Sequence, residues 1–288
     1  MTIHDPVNPP SHSIGTLERP GCSIHYEVTG SGPGIVFAHG LGGNHLSWWQ
    51  QVAHFSPSYA CVTFAHRGFA PSSPILGGPD PCHYAGDLAA LIDHLGLTDV
   101  CIVAQSMGGW SAVEHAIARP GTVRALVLAA TIGTLDPRRI GEPERSRFDA
   151  WLAESTARRM KWREQGIHPA AGARMAAEQP ALHLLYRHID DMNRTLDKEA
   201  LRAQLSALMT RDPTDLASAR CPVLFVSNDE DVQIPPFAAD AIVRVVPGAR
   251  VVHIADAGHS AYFERAAAFN RIVGEFLETA DRPRHAIR

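Results

Sequence analysis

Short, almost wholly apolar segments alternate with segments of helical spacing along most of this chain, and that rhythm restricts the fold more than any other feature. "GIVFAHG", "ACVTFAH", "DVCIVAQ", "VRALVLAAT", "CPVLFVSND" and "ARVVHIAD" have strand length, and several are rich in β-branched residues. "YAGDLAALIDHLGL", "MGGWSAVEHAIARP", "PFAADAIVRVV" and "SAYFERAAAFNRIVGEFLETA" carry apolar residues at helical intervals. Strands that are apolar on both sides must be covered on both faces, which predicts a mostly parallel sheet between layers of helices. An earlier run, "SIHYEVTG", alternates apolar and polar residues and predicts a half-exposed strand.

The rhythm breaks between about Thr134 and Ser218. That stretch is rich in Arg, Ala and Glu, shows helical spacing in "RFDAWLAESTARRMKWREQG" and "KEALRAQLSALM", and contains no convincing strand. It reads as a helical cap, 134–218, inserted into a core made of 14–133 and 219–278, with 1–13 and 279–288 as flexible ends. Ligands in open α/β sheets bind beyond the carboxyl ends of the strands, so a cap at that end walls a pocket.

Composition narrows the partners. The 288 residues carry a formal net charge of -4 with 19% charged residues and no block of like charge. Neither a nucleic-acid partner, which wants a basic face, nor an anionic membrane surface is expected. No run approaches the ~18 apolar residues of a membrane span, and "MTIHDPVNPPSHSIG" does not read as a signal peptide. The five cysteines include no CxxC pair and read as reduced thiols of a cytoplasmic protein.

The chemistry is concentrated around "CIVAQSMGGW". Ser106 stands between an apolar strand and a helix, with small residues, Ala104 and Gly108, two positions either side. A turn that tight lifts the hydroxyl above the sheet at a helix N-terminus, as a nucleophile elbow does. A serine needs a base held by a carboxylate. Among 16 histidines, His259 in "DAGHSAYFE" follows the last strand and emerges at the same sheet edge. The acid is Asp231 in "SNDEDVQIP", preferred over Asp229 for the spacing to Pro235; Asp136, after an earlier strand, is a third option. The glycine-rich "FAHGLGGN" lacks the lysine of a P-loop and the spacing of a dinucleotide site. It offers instead the N–H of Leu41, which with that of Met107 forms an oxyanion hole.

Taken in order, "HGLGG", "AQSMGG", "DEDVQIP" and "AGHSAYFE" resemble the α/β-hydrolase fold superfamily. The resemblance covers about residues 14–133 and 219–278, and it implies an eight-stranded, mostly parallel sheet with Ser106, Asp231 and His259 as the triad and Leu41 and Met107 as the oxyanion hole. A serine at the elbow sets the chain apart from haloalkane dehalogenases and epoxide hydrolases, which use aspartate there. The family segment D-x-R-G-x-G-x-S reads here from Ala65 to Ser72, with alanine at 65 and 70, so Arg67 is expected to lack its usual carboxylate neighbour.

These residues point to a serine hydrolase of a small or medium carboxylic ester or lactone, acting through an acyl-enzyme without metal or organic cofactor. Trp48 or Trp49, Trp110 and Leu135 are expected in the pocket. Other activities on the same fold are carbon–carbon bond hydrolysis of ring-fission products or enol-lactone hydrolysis, with Arg187 and Arg194 as carboxylate-binding candidates. Ligand reception in signalling and cofactor-free oxygenation or perhydrolysis are further alternatives, since fold does not fix function.

Overall fold

The computed structural model describes residues 9–280. Eight strands form one sheet: β1 (His12–Arg19), β2 (Cys22–Thr29), β3 (Gly34–Ala38), β4 (Ala60–Phe64), β5 (Val100–Gln105), β6 (Val123–Ala129), β7 (Val223–Asn228) and β8 (Arg250–Ile254). Their order is β1-β2-β4-β3-β5-β6-β7-β8. β2 runs antiparallel to both of its neighbours, and the pairings from β4 to β8 are parallel. The α/β class and the sheet expected from the sequence are what the structure has. β1 was not foreseen. It is an edge strand with mostly exposed side chains, so it carries neither a continuous apolar run nor a clean alternation. It begins two residues inside the stretch expected to be a flexible end; residues 1–8 and 281–288 lie outside the described residues.

The helices are α1 (Trp49–Phe55), α2 (Tyr84–His94), α3 (Gly108–Ala118), α4 (Glu144–Glu164), α5 (Gly172–Glu178), α6 (Pro180–Asp191), α7 (Lys198–Ala207), α8 (Ala238–Val243), α9 (Ala261–Glu264) and α10 (Ala266–Ala280). Side chains alternate across a strand, so a fully buried strand feeds two cores. In β5, Ile102 and Ala104 join one core with Leu88 and Leu91 of α2, Val113 of α3 and Ile242 of α8. Cys101 and Val103 join the other with Phe55 of α1 and Phe269, Val273 and Leu277 of α10. The four helices α4–α7 lie in sequence between β6 and β7. Leu201 and Leu205 of α7 pack with Met107, Trp110, Phe69 and Tyr84 in a third cluster, and the Trp110 indole N–H donates to the Leu205 carbonyl at 2.8 Å. α7 is thereby seated on the start of α3.

Arg67 does have a carboxylate. Asp87 of α2 receives Arg67 Nε at 2.5 Å and Nη2 at 2.7 Å, and its Oδ1 also accepts from Arg19 Nε at 3.0 Å. This corrects the expectation drawn from Ala65. The acid that the β4 loop lacks is supplied from the first turn of a helix, and hydrogen bonding to Asp87 raises the Arg67 pKa above its ordinary value. Asp87 is 1% exposed, and removing one partner of a buried charge pair strands the other. Asp87→Asn is expected to lower the unfolding free energy by about 3 kcal/mol, measured by urea titration at neutral pH.

Candidate active site

β5 ends at Gln105, α3 begins at Gly108, and Ser106 in the turn between them has φ 49°. That left-handed conformation costs a non-glycine residue of the order of 1 kcal/mol, and the surroundings hold it in place. The Ser106 N–H donates to the Ala129 carbonyl at 3.1 Å, and the Ser106 carbonyl accepts from the Gly109 N–H at 2.8 Å. The flanking glycines permit backbone approach. A Cβ on Gly108 would stand 2.2 Å from the Ala38 carbonyl oxygen. One on Gly40 would stand 2.1 Å from Gln105 Oε1 and 3.0 Å from Ser106 Cβ. The loop after β3 therefore passes directly beside the serine.

The carboxyl ends of β7 and β8 bring in the other two groups. Asp231 Oδ1 accepts the N–H groups of Gln233 at 2.6 Å and Ile234 at 3.1 Å, which fixes the carboxylate. Its Oδ2 lies 2.8 Å from His259 Nδ1. Both residues are buried, so the pair is held out of water where a charge–dipole contact is strong. Gln105 Nε2 donates to the His259 carbonyl at 3.2 Å and ties the histidine loop to the end of the serine strand. Asp229 pairs instead with His253, whose other ring nitrogen meets Asp240. Asp136 caps the short helical turn Pro137–Ile140 and binds Arg138. Neither takes part in the Asp231–His259 pair.

A cavity of about 580 Å³ opens over this end of the sheet, and its lining includes Ser106, His259, Leu41, Met107 and Trp110. Such a volume suits a small organic ligand. Among the described residues no hydrogen bond joins Ser106 to His259, whose Nδ1 meets Asp231. Two expected pocket residues are not in the lining. Trp48 is fully buried against Phe37 and Tyr262, and Leu135, in a loop bridged to Arg211, is fully buried in the core. Trp49 is 46% exposed and is also outside the lining. Of the two arginine candidates, Arg187 lines the cavity and Arg194 does not.

Residues with the chemistry to hold a metal lie elsewhere. His25, Glu27 and His45 bring one ligand atom each within 4.8 Å of one another, with Glu27 Oε1 3.4 Å from His25 Nε2 and 3.3 Å from His45 Nε2. None of the three lines the cavity. No described helix is long and apolar enough to cross a membrane.

The sequence matches the alpha/beta hydrolase family over residues 35–272, most of its length. The chain belongs to that family. The chain is 28% identical over 272 residues to a non-heme haloperoxidase of Rhodococcus erythropolis, across 90% of this chain and 97% of that one. In fold it is similar to the enol-lactonase from Burkholderia xenovorans LB400, with a TM-score of 0.72 and 24% identity over 92% of this chain and 100% of the other. It is also similar to a thermophilic esterase from Thermogutta terrifontis, with a TM-score of 0.70 and 24% identity over 95% and 99%.

The sequence reading did not foresee the part of Glu264, although the motif that supplied His259 ends on it. Glu264 Oε1 accepts the N–H of Gly258 at 2.6 Å, directly before the histidine. Its other oxygen is buried and has no partner among the described residues. Burial pushes the Glu264 carboxyl up from 4.5 to about 7, opposed by the Gly258 hydrogen bond. The folded protein therefore keeps this proton through a pH range in which the unfolded chain releases it, and stability falls as pH rises through that range. Glu264→Gln keeps the acceptor and removes the titration. The stability of this variant relative to wild type is expected to rise by about 3 kcal/mol between pH 4.5 and 7. Urea unfolding across that range measures it, and taking the difference cancels the buried histidines His39, His66 and His115.

Proposed function

We propose that this alpha/beta hydrolase is a serine hydrolase of small or medium carboxylic esters or lactones. The observation that carries the reading is one cavity lined by both Ser106, on its left-handed turn, and His259, whose Nδ1 is held 2.8 Å from a buried aspartate. Asp231 fixes the tautomer, leaving Nε2 as the base, and stabilises the imidazolium. As substrate brings the two groups into reach, Ser106 Oγ attacks the carbonyl carbon and its proton passes to Nε2. The N–H groups of Leu41 and Met107 hold the oxyanion. The alcohol leaves with the proton from Nε2. Water then gives a proton to the same nitrogen and attacks the acyl carbon, and as the acyl–oxygen bond breaks Nε2 returns that proton to Ser106 Oγ, releasing the acid and the free serine. Residues 134–218 act as a cap that closes the site from bulk water.

The haloperoxidase relative favours a second reading of the same site, in which hydrogen peroxide replaces water at the acyl-enzyme and the product is a peracid. Peroxide-dependent halogenation of monochlorodimedone in the presence of acetate distinguishes it. For the principal reading, Ser106→Ala is expected to abolish hydrolysis of p-nitrophenyl butyrate, and Asp231→Asn to lower kcat by about 10⁴ through the wrong tautomer. Undiminished turnover in the serine variant overturns the assignment.

A further inference from the structure

The cavity wall is markedly cationic. Five side chains that carry positive charge line it, against two carboxylates. Both carboxylates are already engaged. Asp190 binds Lys198 at 2.6 Å, and Glu199 binds Arg202 at 2.7 Å and Arg163 at 3.4 Å. Arg159 has no acidic partner among the described residues. Its guanidinium has five N–H donors, and it makes three hydrogen bonds, all to neutral oxygens: the Val232 carbonyl at 3.0 Å, Ser155 Oγ at 3.4 Å and Thr156 Oγ1 at 2.8 Å. Val232 directly follows Asp231, so α4 places a half-buried cation with no carboxylate in ion-pair contact beside the acid loop. Burial and the charges of Arg202 and Arg163 act against its protonated form and outweigh the opposing charges of Asp231 and Glu199. A cation held in a cavity under those conditions gains most from an anion that arrives with the ligand.

We propose that Arg159 binds a carboxylate on the substrate, so that the esters or lactones cleaved here are half-esters or related acids with a free carboxylate distal to the scissile bond. The inference rests on the serine hydrolase reading for the reaction, while the anion site itself does not. Arginine suits the task because its planar fork meets both carboxylate oxygens at once. Arg187, which also lines the cavity but is exposed, is a rival for the same role.

The test compares mono-4-nitrophenyl succinate, glutarate and adipate with the 4-nitrophenyl esters of uncharged acyl chains of equal length. The best half-ester is expected to exceed its neutral counterpart at least tenfold in kcat/KM. In Arg159→Met that ratio falls at least tenfold, chiefly through KM, while Arg159→Lys restores part of it and Arg187→Met leaves the ratio in place. A wild-type preference for the neutral esters overturns the proposal. So does an equal loss on both series in Arg159→Met, which would make Arg159 a strut between α4 and the Asp231 loop. A ratio that follows Arg187 overturns it too. A second readout does not depend on turnover: glutarate is expected to raise the Tm of Ser106→Ala but not of the double variant with Arg159→Met. That shift without any ester hydrolysis by wild type would remove the hydrolase reading and keep the anion site. Hydrolysis of the esters without the shift would do the reverse.

Discussion

β3 and the first turn of α3 approach so closely at Ala38 and Gly108 that no side chain fits between them. This contact sets the height of α3 above the sheet, and with it the place of Ser106. The serine's strained backbone is not an isolated oddity, because it is what remains when a strand must become a helix within two residues under that constraint. Gly40 applies the same pressure from the neighbouring loop. The N–H groups proposed to receive the oxyanion, those of Leu41 and Met107, each adjoin one of these close contacts. Any donor geometry they offer is therefore fixed before a ligand arrives, which is the condition for electrostatic preorganisation.

Around that point the molecule spends polar groups on positioning. The Asp231 carboxylate is held by two backbone N–H groups before it meets His259, and the histidine's own carbonyl is held by Gln105. The loop before it is held by Glu264. Asp87, itself buried, draws Arg67 and the half-buried Arg19 into one network that links β1, α2 and the loop after β4. The carboxylate that neutralises Arg67 comes from α2 rather than from the loop that carries the arginine.

The central sheet and its covering helices were legible because strands buried on both faces must be apolar throughout, as Ile102 and Val103 of β5 are. β1 was not, since an edge strand of mostly exposed residues leaves no such trace. Ser106, Asp231 and His259 could be read from loops that follow strands, a position that fixes which end of the sheet they reach. Trp48 and Leu135 were misplaced because adjacency to a motif does not say which way a side chain turns. Asp87 was invisible from Arg67, twenty residues earlier, since the pairing exists only once α2 has packed. Arg159 could not be told from Arg158, one residue earlier on α4 and outside the cavity lining, because on a polar helix a rotation of one residue separates the two.

The hydrogen bond from the Trp110 indole to the Leu205 carbonyl joins α7 to the residue four places beyond Ser106. Lifting α7 would break that bond, admit water to the ring and loosen the turn of α3 nearest Ser106. The seating of α7 and the backbone around Ser106 are thus mechanically linked through one indole.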